Sequence, residues 1–175
     1  MIMGLDLSLR GPALCCLPID WIPGDWESLG SYQRLHTEEM RGHERVDFIV
    51  DVIESMVIAE SVRYVFIEEY AFSYNTSSVT MLAELGGAVK RMLRKNHKII
   101  PVSVVASSAR KLLFGTIHRM KKAELKEYIM AQMVKMGAPF GDNHDLCDAF
   151  VVANFGLSHF GRPCLMQESE PKKRR

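Results

Sequence analysis

The first nine residues, MIMGLDLSL, constrain the fold of this chain more than any other segment. Apolar residues surround a single aspartate, Asp6, without helical periodicity, and this pattern predicts a strand buried on both faces. An ionised carboxylate inside a sheet is costly unless other groups compensate its charge. Alternatively, Asp6 lies just past the strand and caps the turn at residues 8–11. A functional site at Asp6 therefore requires further charged groups to arrive at the same place.

The segments after Asp6 predict an antiparallel meander. Residues 13–17 are a second short apolar run and predict a hairpin partner for the first strand. Residues 18–30 contain tryptophan, proline and glycine with little periodicity, which is typical of a loop. Residues 31–36 predict a third strand.

The next two segments predict a helix and then a strand. Residues 43–61 carry their apolar side chains on one helical face. Residues 62–70, VRYVFIEEY, are a β-branched and aromatic run that ends in two glutamates. Because a helix precedes this strand, we expect it to be parallel to the first strand. Either Glu68 or Glu69 would then reach the sheet edge at which Asp6 lies.

A polar loop at residues 71–78 separates this strand from a long predicted helix. The loop carries Phe72 and Tyr74, and Ser77 or Ser78 is a candidate N-cap for a helix that ends near residue 96. Two adjacent glycines, Gly86 and Gly87, lie within that helix at a cost of about 1 kcal/mol each. This cost predicts the close approach of another element.

The last third of the chain predicts one strand and three helices. Residues 98–105 are β-prone, and Pro101 favours an edge position in the sheet. Helices are predicted at residues 106–114, ended by Gly115, and at residues 121–136, ended by Gly137. A final helix is predicted at residues 144–159, with its N-cap at residues 141–143.

This element order predicts an α/β fold with a mixed β-sheet, an antiparallel meander plus parallel strands, flanked by helices. A chain of 175 residues that is 47% hydrophobic and 25% charged suits one folded domain. We expect that domain to span residues 1–165. Residues 166–175 are expected to be a disordered basic tail, for which a nuclear localisation signal is the alternative reading.

Composition narrows the functional classes less than the placement of charge does. The net charge of +1 names no partner, but one region is rich in candidate phosphate contacts: Arg110, Lys111, Arg119, Lys121, Lys122 and Lys126. Four cysteines without CxxC spacing favour a reduced chain and disfavour a zinc site. The sequence shows no signal peptide and no membrane span, so we expect an intracellular, cytoplasmic protein.

The final predicted helix begins with two acids, Asp145 and Asp148, three residues apart and hence on one helical face. Acids in a first turn are favoured by the helix dipole, typically by 0.3–1 kcal/mol, and this alone could explain them. The dipole explains Asp145 better than Asp148, which lies deeper beside an apolar run. His144 is either a solvent-exposed helix residue or an aid to proton transfer.

Together these acids resemble a known signature. Asp6 in a first strand, Glu68 closing VFIEEY, and the segment DLCDA at residues 145–149 are similar to the four carboxylates of RuvC-like Holliday junction resolvases. Residues 101–137 continue the similarity with a proline-containing strand, a glycine after a short helix, and a lysine before an apolar helix. Among these enzymes, the short phage-encoded members are the most similar.

The resemblance implies an RNase H-like fold and a metal-dependent endonuclease that cuts four-way and other branched DNA. It implies a homodimer, because a junction is cut in two strands related by a two-fold axis. Residues 86–88 are a candidate dimer contact, with packing against the sheet as the alternative. If the chain is phage-encoded, the resemblance implies the cytosol of a bacterial host.

The resemblance also implies roles for individual residues. Two Mg²⁺ or Mn²⁺ ions would be held by Asp6, Glu68, Asp145 and Asp148, because such ions prefer oxygen ligands. Lys122, or alternatively Lys121, would lie near the scissile phosphate. Phe72 or Tyr74 would be an aromatic wedge at the junction, with packing beneath the loop as the alternative.

Two other classes of function remain open from the sequence. An RNase H-type ribonuclease or a broad debranching nuclease would keep the fold and change the substrate. A catalytically inactive DNA-binding module would keep the acids without activity. A nucleotide-binding protein of the related actin-like fold should carry a phosphate-binding glycine loop, which residues 7–11 match poorly.

Overall fold

The computed structural model describes residues 1–69, 76–115 and 120–162, with the side chains of residues 76–78 excluded. Phe72, Tyr74 and Arg119 of the predicted DNA-binding set lie outside these ranges. The basic segment at residues 166–175 does so as well, and the division into domain and tail stays a prediction.

One mixed sheet of five strands, in the order β3-β2-β1-β4-β5, organises the described residues. Its strands are β1 (Ile2–Asp6), β2 (Ala13–Leu17), β3 (Tyr32–Arg34), β4 (Tyr64–Glu68) and β5 (Val102–Val104). The first three strands form an antiparallel meander. β4 is parallel to both β1 and β5. The predicted fold class, an RNase H-like mixed sheet flanked by helices, is confirmed.

Five α-helices complete the described fold, and their order along the chain agrees with the prediction. They are α1 (Gly42–Ala59), α2 (Thr76–Asn96), α3 (Ala106–Phe114), α4 (Lys122–Lys135) and α5 (His144–Ser158). A short 3-10 helix, Trp26–Ser28, lies within the predicted loop. The glycines that follow α3 and α4, Gly115 and Gly137, have positive φ angles of 73° and 79°. Each provides the left-handed residue with which helices commonly end.

The structure corrects several predicted boundaries. The predicted N-caps Ser77 and Ser78 already belong to α2. The first strand stops at Asp6, and Ser8 rather than Asp6 caps the following turn, because the Gly11 N–H donates to Ser8 Oγ at 3.0 Å. The third, fourth and fifth predicted strands are also longer than the observed ones, whereas the second matches β2 at residues 13–17. The edge position of β5 is confirmed, but Pro101, which was predicted within this strand, immediately precedes it.

Helices cover both faces of the sheet, so alternate strand residues enter two apolar layers. On one face, Met3, Leu5 and Ile67 pack with residues of α1 and α2. On the other face, Ile2, Ala13 and Phe66 pack with α5. This alternation decides which side of the sheet each polar residue at a strand end will face.

The α5 helix lies unusually close to β1 at Gly4. A Cβ atom built on Gly4 would lie 2.2 Å from the Ala149 carbonyl oxygen and 2.3 Å from the Ala153 nitrogen. Only glycine permits this backbone contact, because both neighbours are main-chain atoms that no rotamer change can move. The first turns of α5 are thereby held against the end of β1 that carries Asp6.

Candidate active site

The strand register brings Asp6 and Glu68 to one edge and one face of the sheet. Leu5 is paired with Ile67, so the residues that follow them, Asp6 and Glu68, end neighbouring parallel strands. Leu5 and Ile67 pack on the α1 and α2 side. Side chains alternate along a strand, so Asp6 and Glu68 point toward α5. Glu69 is exposed and follows Glu68 in the chain, which places it on the opposite side.

The first turns of α5 bring Asp145 and Asp148 to the same edge. Asn143 caps the helix, because its side-chain Oδ1 accepts hydrogen bonds from the Asp145 and Leu146 N–H groups at 3.1 and 3.2 Å. The cap fixes the helix start, so the residue that packs toward the sheet is Asp148, which is only 7% exposed. Asp145 is one turn nearer to solvent. Four carboxylates from three elements therefore converge on one place.

Burial and mutual repulsion raise the pKa values of two of these acids. Desolvation, followed by the negative charges of Glu68, Asp148 and Asp145, raises the pKa of Asp6 to about 8. Desolvation and then Asp148 raise the pKa of Glu68 to about 7. Such shifts mean that the site lacks enough positive charge to hold all four carboxylates ionised.

Arg110 of α3 is the cation that lies deepest in this cluster. Its Nη2 atom is 2.9 Å from Asp148 Oδ1 and 3.6 Å from Glu68 Oε1. The side chain is only 20% exposed, and its buried Nε has no hydrogen-bond partner among the described residues. The basic-cluster prediction treated Arg110 as a surface phosphate contact. In the structure its guanidinium pairs with the acids, and a phosphate contact by Arg110 stays a prediction.

Arg34 of β3 is a second cation in the site, and sequence reasoning did not single it out. Its Nε donates to Asp145 Oδ2 at 2.8 Å. Asp6 is paired with Ala13, and Ala13 with Arg34, so this arginine lies on the same face as Asp6 two strands away. The predicted meander is the sequence feature that could have identified Arg34. Pairing of its three strands in register would have placed Arg34 level with Asp6.

His144 lies at the rim of the cluster, and two of the predicted lysines lie near it. His144 Nε2 lies 2.9 Å from Asp145 Oδ1, while 43% of the histidine side chain is exposed. The positive charges of Lys126 and Lys122 offset part of the rise in the pKa of Glu68. Both lysines therefore lie within electrostatic reach of this carboxylate. Lys121 and Lys111 are exposed, and the Lys121 N–H donates to Glu124 Oε2 at 3.0 Å.

The chemistry of this donor set fits a hard divalent cation, although the side chains pair with arginines in this conformation. All four acids offer carboxylate oxygens, the ligands that Mg²⁺ and Mn²⁺ prefer. Among the described residues, no three acidic, histidine or cysteine side chains are arranged to hold one ion. The Arg110 guanidinium contacts both Glu68 and Asp148 in this conformation.

We expect the metal-free protein to lose stability as the pH rises from about 4 to about 8. Unfolded Asp6 releases its proton near 3.8, whereas folded Asp6 keeps it until about 8. The unfolded state therefore binds fewer protons across this window, and the free energy of unfolding falls with rising pH. Glu68, which shifts from 4.5 to about 7, acts in the same direction.

Urea denaturation with a chelator present, from pH 5 to pH 8, measures this dependence. Asp6→Asn should flatten the decline, because the amide carries no charge to bury. Parallel curves for the wild type and the variant would show that Asp6 is not held protonated in the folded state.

A family model described as "Crossover junction endodeoxyribonuclease RuvC" matches residues 24–155, which is more than half of the chain. The matched segment contains Glu68, Asp145 and Asp148 and begins after Asp6. No curated protein matches the sequence significantly.

Several solved structures share the fold. RuvC from Thermus thermophilus matches with a TM-score of 0.67 and 17% identity, covering 91% of this chain and 96% of the other. The same protein bound to a Holliday junction matches with a TM-score of 0.66 and 17% identity, covering 91% and 92% of the two chains. The yeast mitochondrial Holliday junction resolvase matches with a TM-score of 0.59 and 8% identity, covering 91% and 80%.

Proposed function

The chain belongs to the RuvC family of crossover junction endodeoxyribonucleases, hydrolases that act on DNA, and on that premise we propose that it resolves four-way DNA junctions. Two proteins of similar fold, from T. thermophilus and fowlpox virus, are described in complexes with Holliday junction DNA. The fowlpox virus resolvase has a TM-score of 0.54 and 8% identity, covering 92% of this chain and 99% of that one. The particular similarity of this chain to the phage-encoded members of the family stays a prediction.

One observation carries the proposal: the convergence of Asp6, Glu68, Asp145 and Asp148 at one edge of the sheet. A purely structural cluster of this kind would be costly, because burial and the neighbouring acids raise the pKa values of Asp6 and Glu68. Two arginines offset part of the charge in this conformation. An acidic cluster of this kind is typical of a functional site to which cations bind during the reaction.

In the proposed reaction, Asp6, Glu68, Asp145 and Asp148 would hold two divalent ions, Mg²⁺ or Mn²⁺, through their carboxylate oxygens. When bound, such ions assist the attack of water on the phosphodiester and stabilise the departing 3′ oxygen. The chain's own residues then orient the DNA. Lys122 lies near the scissile phosphate and offsets its negative charge. Arg110, released from Glu68 or Asp148, becomes available to the same phosphate.

Resolution of a junction requires two matched sites, so we propose a C2 homodimer as the active form. Phe72 or Tyr74 follows β4 closely in the chain and is proposed to unstack bases at the crossover. The basic residues Lys111, Lys121 and Arg119, together with the tail, are proposed to contact phosphates along the arms.

A cleavage assay with strand-resolved products tests the function. Purified protein and Mg²⁺ are incubated with a four-way junction, a fork, linear duplex DNA and an RNA–DNA hybrid. We expect paired, symmetrically placed nicks in the junction and little cutting of the linear duplex. Preferential cutting of the hybrid would identify an RNase H-type ribonuclease, and cutting of forks and junctions alike would identify a debranching nuclease.

Lys122→Ala should slow junction cleavage about 10²-fold and weaken junction binding much less. The expected loss is that of one group aimed at charge developing in the transition state. Single-turnover rates at saturating protein, compared with affinities measured in Ca²⁺, separate the two effects. Lys121→Ala is the matched control, because this neighbouring lysine is exposed and its side chain is absent from the charges that act on Glu68. A larger effect at Lys121 would exchange the roles of the two lysines.

A further inference from the structure

The exposed face of α2 carries a groove that the proposed active site does not use. The groove has a volume of about 640 Å³ and is lined by Gly87, Lys90, Arg91, Arg94 and Lys95. These residues recur every three or four positions and therefore share one side of the helix. A Cβ atom built on Gly87 would have no atom within 4 Å among the described residues. The predicted close approach of another element is therefore not found at Gly87.

The charge of this face is uncompensated in the described part of the chain. Residues 85–100 contain no aspartate or glutamate, and the nearest acid of α2, Glu84, lies one turn before Gly87. The ion pairs of the described residues involve none of the four groove cations. Their side chains also make no hydrogen bond to any described residue. The opposite side of α2 is apolar and buried against the sheet and α1 through Leu85, Val89, Met92 and Leu93.

The groove lies toward the end of the molecule that is remote from the acids. The helix α2 connects two parallel strands, so it runs back from the sheet edge that carries Glu68 toward the start of β5. Lys90 lies 14 residues after Thr76, or roughly 21 Å along the helix at 1.5 Å per residue. The acids face α5, whereas α2 covers the opposite face of the sheet, so a ligand that reaches both places must be long and pass around the edge of the sheet.

The spacing of the cations favours a phosphate chain over a single anion. Lys90 and Arg94 are one helical turn apart, as are Arg91 and Lys95, and the set spans about 7 Å along the axis. Each strand of B-DNA carries one phosphate per roughly 3.4 Å of its axis, so a duplex can offer this face two or more phosphates at once. Arginine guanidinium groups also bind phosphate oxygens in bidentate geometry.

We propose that the exposed face of α2 binds the phosphate backbone of a duplex DNA arm at a distance from the crossover. The inference rests on the proposed function, since it takes the substrate to be branched DNA. A second copy of the chain fits this face less well. Symmetric contact would bring two sets of four unpaired cations together, and like charges in contact are destabilising.

The salt dependence of DNA binding tests this surface. The double variant Arg91→Gln/Arg94→Gln removes two charges from the groove. The single variant Lys135→Glu lowers the net charge by the same amount, but at the exposed end of α4, and serves as the control. Each protein is titrated with a long-armed junction, a short-armed junction closed by hairpin loops, and linear duplex, in Ca²⁺ at several salt concentrations.

For the long-armed junction, we expect the double variant to reduce the slope of log K against log salt by about 2 and the control to leave it unchanged. Binding to the short-armed junction and cleavage at saturating protein should be unaffected by either variant. An unchanged slope for the double variant would overturn the inference. So would a change of oligomeric state measured by light scattering, which would make this face a contact between protein copies.

The α2 proposal and the resolvase proposal can fail independently of each other. Wild-type protein that binds long arms through α2 but cuts no junction would refute the resolvase proposal alone. Wild-type protein that cuts junctions, with a double variant that binds them normally, would refute the α2 surface alone.

Discussion

Asp6→Asn abolishes junction cleavage and leaves junction binding largely intact: this is the first result that we expect. Asp6 lies at the centre of the acidic cluster, and Glu68, Asp148 and Asp145 all act on its pKa. The amide keeps the size of the side chain and removes the charge that would hold divalent cations. A loss of at least about 10³-fold in the single-turnover rate is expected, since activated water and leaving-group stabilisation are both affected.

The control for this variant is Glu69→Gln. Glu69 is an exposed carboxylate next to Glu68 in the chain, and it faces away from the cluster. Its replacement should leave both cleavage and binding near the wild-type values. Substantial cleavage by Asp6→Asn at saturating Mg²⁺ would remove Asp6 from the proposed metal ligands. A loss of binding as large as the loss of cleavage would instead indicate that the substitution disturbs the fold.

The second large effect is expected from a residue with no side chain. Gly4→Ala should lower the free energy of unfolding by about 3 kcal/mol, because the added methyl group meets the backbone of α5. Relief of this clash must separate β1 from α5, and with them Asp6 from Asp148. A displacement of 1 Å at a catalytic site can cost about 10²-fold in rate, so cleavage should also fall.

Gly87→Ala is the matched control for this substitution. It also adds one methyl group to a glycine, but at a helical position with open space around it. Alanine should stabilise α2 by roughly 0.5–1 kcal/mol. Urea denaturation of both variants, with cleavage measured at a temperature at which each is folded, gives the comparison. Equal stability of Gly4→Ala and the wild type would show that β1 and α5 can separate at little cost.

Local patterns in the sequence were sufficient for the elements and for the acids. Short apolar runs and helical periodicity predicted the order of strands and helices, because burial of an apolar face dominates the choice of local structure. The same patterns placed Asp6 in the first strand and either Glu68 or Glu69 at the end of a parallel strand, and the resemblance to the resolvases favoured Glu68. Asn143 at the start of α5 was predictable as well, since an N-cap depends on contacts within one turn.

The partners of the acids were decided by tertiary structure alone. Arg34 and Asp145 are 111 positions apart in the chain, and Arg110 and Asp148 are 38 apart. No local pattern distinguishes an arginine that turns inward to a carboxylate from one that stays on the surface. The basic cluster containing Arg110 therefore indicated phosphate contacts, whereas packing of α3 against α5 directs this side chain to Glu68 and Asp148.

Gly4 and Gly87 show the same division between what the sequence determines and what the tertiary structure decides. By itself the sequence determined that Gly4 lies in a buried strand and that Gly86 and Gly87 lie within a helix. Only the tertiary structure decided that Gly4 touches the backbone of α5, whereas Gly87 opens onto a groove lined by cations. The reason is physical: a glycine's cost is local and can be read from its element, whereas its benefit depends on what the rest of the fold brings to that position.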